Sequence, residues 1–276
     1  MQSVPQRLIT KRGERALIPP QRTQRKGTVE NMYAEAYLKA AEQALQRLRE
    51  TQLSVIQQAA GLLADTIERG GAIFAFGATH SFAIGAELVY RTGGLMLINP
   101  IYPHGMDLSV RPMTMTSQLE RLPNLGRVLF ENSQARPGDA LIIASTSGRN
   151  AVAIDMAIAA REHGVKTIAV TSLEYSRAVA SRHPSGKRLM DVCDVVLDNC
   201  APAGDAAVEI EGLREKTGPL STVSGCAVVN ALVAETIGIL LARGLQPPVF
   251  LSANLDGGDE HNARLLAQYR DRIHYL

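Results

Sequence analysis

The sequence predicts an α/β fold, a doubly wound parallel sheet with helices on both faces, and three observations carry that expectation. Short, continuously apolar runs (72–76 AIFAF, 140–144 ALIIA and 166–171 KTIAVT) are bounded by turn residues and have the length of strands buried on both faces. The first two each empty into a loop of small residues that opens an apolar-rich helical segment. Strand and helix signals then alternate along the chain, as βαβ units with ligand-binding loops at the strands' C-terminal ends require.

Residues 1–31 stand apart from this pattern. They hold seven Lys/Arg (Arg7, Lys11, Arg12, Arg15, Arg22, Arg25, Lys26) against Glu14 and Glu30, and they contain Pro5, Pro19 and Pro20 with little apolar periodicity. A basic, disordered tail is expected, and Met32, at the head of the first good helical pattern, is an alternative start. A single domain is expected over 32–276.

It opens with a helical hairpin at 32–70. Tyr33, Tyr37, Ala40, Ala41, Ala44, Leu45 and Leu48 recur every three or four residues, and a second helix from Leu53 to Glu68 lines Ile56, Ala59, Ala60, Leu63 and Ile67 along one face before Gly70-Gly71. The sheet core and a C-terminal loop and helix occupy 72–276. The strand at 72–76 runs into GATHS (77–81) and a helix from Phe82 to about Thr92; Leu95–Asn99 is the next strand. An irregular segment from Pro100 to about Ser117 follows, then a helix near Gln118 to Glu131. Beyond the strand at 140–144 a helix extends from about Asn150 to His163, stopped by Gly164. Strands at 166–171 and 194–197 flank a polar loop at 181–187, and 199–221 reads as irregular. Ser221-Thr222 open a very apolar helix, Val223 to Ala242, expected to be the most buried. The apolar run 249–252, a Gly-rich acidic loop from Asp256 to Asn262, and a helix using Leu265, Leu266, Tyr269 and Ile273 close the pattern.

The loop Ser145-Thr146-Ser147-Gly148 is the strongest chemical signal. It sits where a strand ends and a helix begins, and there the first helical N–H groups lack partners and the helix dipole is positive. Backbone donors and three hydroxyls could hold a phosphate. The alternative is simple helix capping, which needs one hydroxyl, not three.

Composition removes several function classes. Of the 29 basic and 27 acidic residues, 22 and 25 fall in 32–276, so the net charge of +2 comes from the tail and the domain is mildly acidic; a general nucleic-acid surface is not expected. No apolar run approaches the ~20 residues of a membrane span, and the N-terminus lacks a signal peptide's apolar core. Cys193, Cys200 and Cys226 form no CxxC pair, which fits a reducing, cytoplasmic setting. There is no GxGxxG, since Thr79 stands where its second glycine would be, and no HExxH, GxSxG or Walker loop. Asp256, Asp259, Glu260 and His261 do not define a coordination shell, so neither a metal nor an organic cofactor is expected.

Taken together, GATHS at 77–81, STSG at 145–148 and the hydroxyl-headed helix at 221–222 resemble the SIS (sugar isomerase) family over residues 32–276. The segments ERLPNLGRVLFEN (120–132), EGLREKTGP (211–219) and SANLDGGDEHN (252–262) look most like bacterial single-domain SIS proteins of uncharacterised substrate. The resemblance implies a three-layer αβα domain around a five-stranded parallel sheet. It also implies binding of a phosphorylated sugar and assembly as dimers or tetramers with sites near subunit interfaces. It places Ser145, Thr146, Ser147 and Thr222 on the phosphate and Thr79, His80 and Ser81 along the sugar. Two departures, Asn150 where many members carry Thr and Thr79 in place of glycine, leave the substrate open.

Aldose–ketose isomerisation needs a base that moves a proton between adjacent carbons. The candidates are Glu120, His261, Glu87 and Glu211, with His80 and His104 behind them and Arg149 or Lys216 available to pair with an anion. The leading expectation is an isomerase of a hexose or amino-sugar phosphate. The rivals are an etherase that begins with the same proton abstraction and a non-catalytic sugar-phosphate sensor.

Overall fold

The computed structural model describes Arg7–Ile9, Arg15–Leu17 and residues 32–276. Arg7–Ile9 (β1) and Arg15–Leu17 (β2) pair antiparallel. The rest of the tail expected to be disordered lies outside the described residues, and Met1–Met32 and Tyr33–Leu276 are two separate units.

In the larger unit, α1 (Tyr33–Thr51) and α2 (Leu53–Glu68) precede the sheet, as their spacing predicts. The strands β3 (Ile73–Gly77), β4 (Ile98–Pro100), β5 (Ala140–Ala144), β6 (Lys166–Thr171) and β7 (Val195–Asp198) form one sheet in the order β4-β3-β5-β6-β7, every neighbouring pair parallel. Because successive strand residues point to opposite faces, the apolar runs feed two cores. Ile73, Ala75, Ile142, Ala144, Ile168 and Val170 meet α2, α3 (Ser81–Glu87) and α9 (Ser221–Ala242) through Leu63, Ile84, Val229 and Leu232. Phe74, Phe76, Leu141, Ile143 and Ala169 meet α5 (Leu125–Glu131), α6 (Ala151–Glu162) and α8 (Leu189–Val192) through Phe130, Val152, Met156 and Leu189. Each large apolar side chain so buried contributes about 1.5–3 kcal/mol. The three-layer αβα arrangement follows from this alternation.

The strand starts are closed by carboxylates. Buried Asp139 accepts the N–H groups of Ala72 (2.8 Å) and Arg136 (2.7 Å), and Asp194 accepts the N–H and hydroxyl of Thr167 at 2.8 and 2.9 Å.

The structure differs from the sequence pattern in six places. The helix expected at 118–131 is two, α4 (Thr114–Leu119) and α5, because Pro123 disfavours helix at Leu122 and Asn124 turns left-handed at φ 67°. The helix after β3 stops at Glu87, before Tyr90 at φ 50°. In the run at 95–99 the first residues face the other way: Leu95 bridges antiparallel to Val249, the Met96 N–H donates to Pro248 O at 2.9 Å, and Ile98–Pro100 alone joins β3. The stretch at 199–221 contains an antiparallel pair, β8 (Ala206–Val208) and β9 (Thr217–Pro219). The acidic loop is short, since α10 (Gly258–Gln268) already includes Asp259 to Asn262. Finally, α9 is long and apolar enough to cross a membrane by length and composition, although Asn230 and Glu235 interrupt its apolar run. Val228, Val229, Leu232, Thr236 and Leu240 are nevertheless buried against the domain, but the most buried helix is α6 and not α9 as expected, with nine of 12 residues buried against nine of 22. The remaining connection includes α7 (Leu173–Ala178), capped by Ser172, whose Oγ accepts the Tyr175 N–H at 3.0 Å.

Helices α5 and α6 pack to backbone contact. A Cβ on Gly126 would lie 1.8 Å from Val152 O. Gly126→Ala is therefore expected to cost about 3 kcal/mol, read as a lower urea midpoint. Gly61→Ala, in α2 with nothing within 4 Å of the added methyl, should instead be neutral or stabilise by roughly 0.5–1 kcal/mol.

Candidate functional site

From β3 the chain crosses to β4 on one side, and from β5 to β6 on the other, so the strand order reverses between these two neighbours. A doubly wound sheet forms its binding crevice at such a point, outside the strands' C-terminal ends. Gly77 and Ala144 end the two strands in register, and the two hydroxyl-bearing loops leave the sheet side by side.

The first loop is tightly wound. A Cβ on Gly77 would lie 2.1 Å from Ser81 O, so no other residue fits. Thr79 adopts φ 53°, and its N–H donates to Met106 O at 2.7 Å. Thr79 and Ser81 are half-buried and His80 is exposed, all at the start of α3. A cavity of about 280 Å³ adjoins this loop, walled by Gly77, Phe82, Tyr90 and Tyr102.

The second loop is drawn over the end of β6. Thr146 O accepts from the Ser172 N–H (2.9 Å) and the Thr171 hydroxyl (3.1 Å), and the Gly148 N–H donates to Ser145 O at 3.1 Å. Gly148, at φ 59°, sits where a Cβ would be 3.0 Å from Thr171 Oγ1. With its carbonyls so held, the loop keeps its donors open. The N–H groups of Thr146 and Ser147 and the hydroxyls of Ser145, Thr146 and Ser147 have no partner among the described residues.

Helix α9 runs parallel to α3, since Gly225 packs on Ile84 and Asn230 Nδ2 donates to Glu87 Oε1 at 3.1 Å. Their first turns therefore lie at the same end. Asp205 accepts the N–H groups of Leu220 and Ser221 and the Ser221 hydroxyl (3.0, 2.7 and 2.7 Å). The half-buried Thr222 is left with an open hydroxyl among the described residues.

Glu120 closes the far side. It directly follows α4, and its carbonyl accepts the Val152 N–H in the first turn of α6 at 3.1 Å. Burial pushes the carboxyl above its ordinary range, opposed by the Asn150 side chain and the charges of Arg121 and Arg182. A carboxyl so shifted is suited to proton transfer. Asn150 Oδ1 in turn accepts from the Arg182 guanidinium at 3.0 Å, and the Arg182 N–H donates to Arg149 O at 2.8 Å. The segment that carries Arg182 is pinned by His183, whose Nε2 lies 2.8 Å from Asp155 Oδ1 on α6; Asp155 Oδ2 also accepts the Asn124 N–H at 2.6 Å.

The structure thus brings Glu120 together with Ser145, Thr146 and Ser147 around the N-terminus of α6, with Thr79, His80 and Ser81 on the neighbouring loop and Thr222 at the same end of α9. The other three candidate catalytic groups have different surroundings within one chain. Glu87 pairs with Arg91 at 3.0 Å and with Asn230. Glu211 is exposed between β8 and β9. His261 is in the first turn of α10, with Nε2 3.2 Å from Val249 O and Nδ1 3.3 Å from an Arg264 nitrogen. Arg121, Arg182, Asp155 and His183, which adjoin Glu120 or the start of α6, carried no signal in the sequence; Asn150 was visible as a departure from the family pattern. Among the described residues, no group of three or more His, Cys, Asp or Glu side chains could hold a metal ion. Burial raises the Cys193 thiol to about 12, so it is not a thiolate at neutral pH.

Glu120 has a pH signature. A carboxyl with a raised pKa in the folded protein binds protons more tightly there than in the unfolded chain, so its contribution to stability is greatest below its unfolded value and is lost as pH rises through the folded one. Glu120→Gln, which removes the ionisation, should therefore raise the melting temperature at pH 8 and gain little at pH 4. A destabilised variant at pH 8 would contradict this account.

With the geometry in place, comparison with known proteins gives the family. The SIS domain model matches residues 36–172. The chain is 42% identical over 88% of its length to a UPF0309 protein of Shouchella clausii, covering 99% of that protein, and 43% identical over 88% to one of Oceanobacillus iheyensis, again covering 99%. Among solved structures it is similar to phosphoheptose isomerase GmhA from Neisseria gonorrhoeae at 17% identity and a TM-score of 0.47, over 74% of this chain and 97% of that one. The chain belongs to the UPF0309 family and is built on an SIS domain.

Proposed function

We propose that this protein binds a phosphorylated sugar in the crevice between β3 and β5 and isomerises it. The observation that carries the reading is the set of open donors in the loop that leads into α6: two backbone N–H groups and three hydroxyls, on a loop whose Ser145 and Thr146 carbonyls are already engaged. Donors fixed in this way meet an anion at little reorganisation cost, and membership of the SIS family agrees with a sugar phosphate as that anion. With the phosphate there, Thr79, His80 and Ser81 would line the sugar.

Glu120, in its ionised form, would remove the proton from the carbon next to the carbonyl and return it to the neighbouring carbon, while a second group carries the hydroxyl proton between the oxygens. Glu87, Glu211 and His261 are the remaining candidates for that second group. Since each has other surroundings within one chain, a shared site in a homo-oligomer is part of the proposal. Exposed Leu38, Leu45, Leu53 and Leu241 on α1, α2 and α9 support such an assembly. The free thiols support a cytoplasmic location. The dispersal of these groups also favours a second reading, a sensor that binds the sugar phosphate without turning it over; an etherase shares the first proton step.

Two measurements test this. Proton NMR in D₂O with fructose 6-phosphate, glucosamine 6-phosphate, N-acetylglucosamine 6-phosphate or N-acetylmuramic acid 6-phosphate should show deuterium entering at C2 with ketose–aldose interconversion. Release of lactate would make it a lyase, and binding without exchange a sensor. Ser147→Ala should weaken binding of the preferred sugar phosphate about tenfold, the loss of one hydrogen bond to a charged group; unchanged affinity in calorimetry would remove the loop from the site.

A further inference from the structure

Three arginines gather beside the proposed phosphate loop in numbers that one phosphate does not explain. Arg149 directly follows Gly148, and its Nε is buried without a hydrogen-bond partner among the described residues. The Arg182 guanidinium reaches over the start of α6 to Asn150. Arg121 follows Glu120. The charges of Arg149 and Arg121 both reach Arg182, which is held below the ordinary guanidinium range first by desolvation and then by these two neighbours, opposed by Tyr175 and Glu120. Among the described residues, no salt bridge joins Arg121, Arg149 or Arg182 to a carboxylate. Glu120 is the one acid whose carboxyl feels Arg121 and Arg182, and it forms no salt bridge with either.

The segment bearing Arg182 is also fixed in place. The Ser181 hydroxyl donates to Lys187 O at 2.6 Å, the Arg182 N–H to Arg149 O, and His183 pairs with the buried Asp155. With Arg182 on a pinned segment, Arg149 and Arg121 nearby and Glu120 the single acid facing them, three cations against one carboxylate form a preorganised anion site. Planar guanidinium forks match a carboxylate in shape and charge.

We infer that the substrate carries a second anionic group, a carboxylate, which Arg149, Arg182 and Arg121 hold next to Glu120, so that the ligand is a phosphorylated sugar acid or a sugar phosphate with a carboxylated substituent. This rests on the phosphate-binding reading, since it assigns the phosphate to the open donors of Thr146 and Ser147 and leaves the arginines for the other end.

Calorimetry on the full chain tests it with 6-phosphogluconate, glucose 6-phosphate, fructose 1,6-bisphosphate and inorganic phosphate. The expected result is that 6-phosphogluconate binds about tenfold or more tightly than glucose 6-phosphate, the effect of a charge-assisted bidentate contact. In Arg182→Gln and Arg121→Gln, both changes at exposed positions, the ratio of the two affinities should fall toward one. A merely structural role for these arginines would weaken both ligands alike and leave the ratio intact, which would overturn the proposal. Equal affinities in the unaltered protein would also overturn it while leaving the phosphate site standing. A stronger, arginine-dependent preference for the bisphosphate would replace the carboxylate by a second phosphate. If neither ester nor inorganic phosphate binds, the phosphate reading fails and this inference fails with it.

Discussion

Two parallel strands that end side by side, Gly77 against Ala144, are the constraint from which the rest of this domain follows. Where they stop, the chain must leave the sheet in two directions within a few residues, and the space is so limited that even a methyl group at position 77 would collide with Ser81 O. The consequence is a pair of short loops that each deliver a helix start to the same crevice, with the first turn of α9 alongside. Backbone crowding here brings two helix starts and their hydroxyl-bearing loops to one crevice.

The two ends of the sheet treat their polar groups differently. At the strand starts, Asp139 and Asp194 each satisfy backbone donors of adjoining segments, so that end is closed and contributes to stability. At the strand ends, carbonyls such as Thr146 O are bound while the neighbouring N–H groups and hydroxyls are open. The carboxyl of Glu120 at the same end is held where its ionised form is disfavoured. The domain thus concentrates its unmet polar capacity on one face, as expected of a site and not of a core.

Much of the fold was legible because its signals are local. The strands at 140–144 and 166–171 and the helix at 53–68 fall where the apolar pattern puts them, since a buried parallel strand needs a continuous apolar run. The hairpin of β8 and β9 was missed because three-residue strands leave no readable period. The break between α4 and α5 turns on a left-handed Asn124 that no periodicity reports. The hydroxyl loop and Glu120 were visible as residue types in suggestive places. The link from Asp155 to His183 and from Asn150 to Arg182 was not, because those pairs stand 28 and 32 residues apart and meet through tertiary folding.

Asn99 carries a consequence for how the sheet is made. It is fully buried within the edge strand β4; its amide donates to Ile73 O, Leu97 O and Arg272 O, and its oxygen accepts the His274 N–H at 2.7 Å. Those last two partners lie 173 and 175 residues downstream. A ribosome emits β4 long before it emits Arg272 and His274, so through most of synthesis the Asn99 oxygen at this edge lacks its donor. Contacts of such sequence separation are slow to close, and a growing chain with an open sheet edge is a natural client for a chaperone.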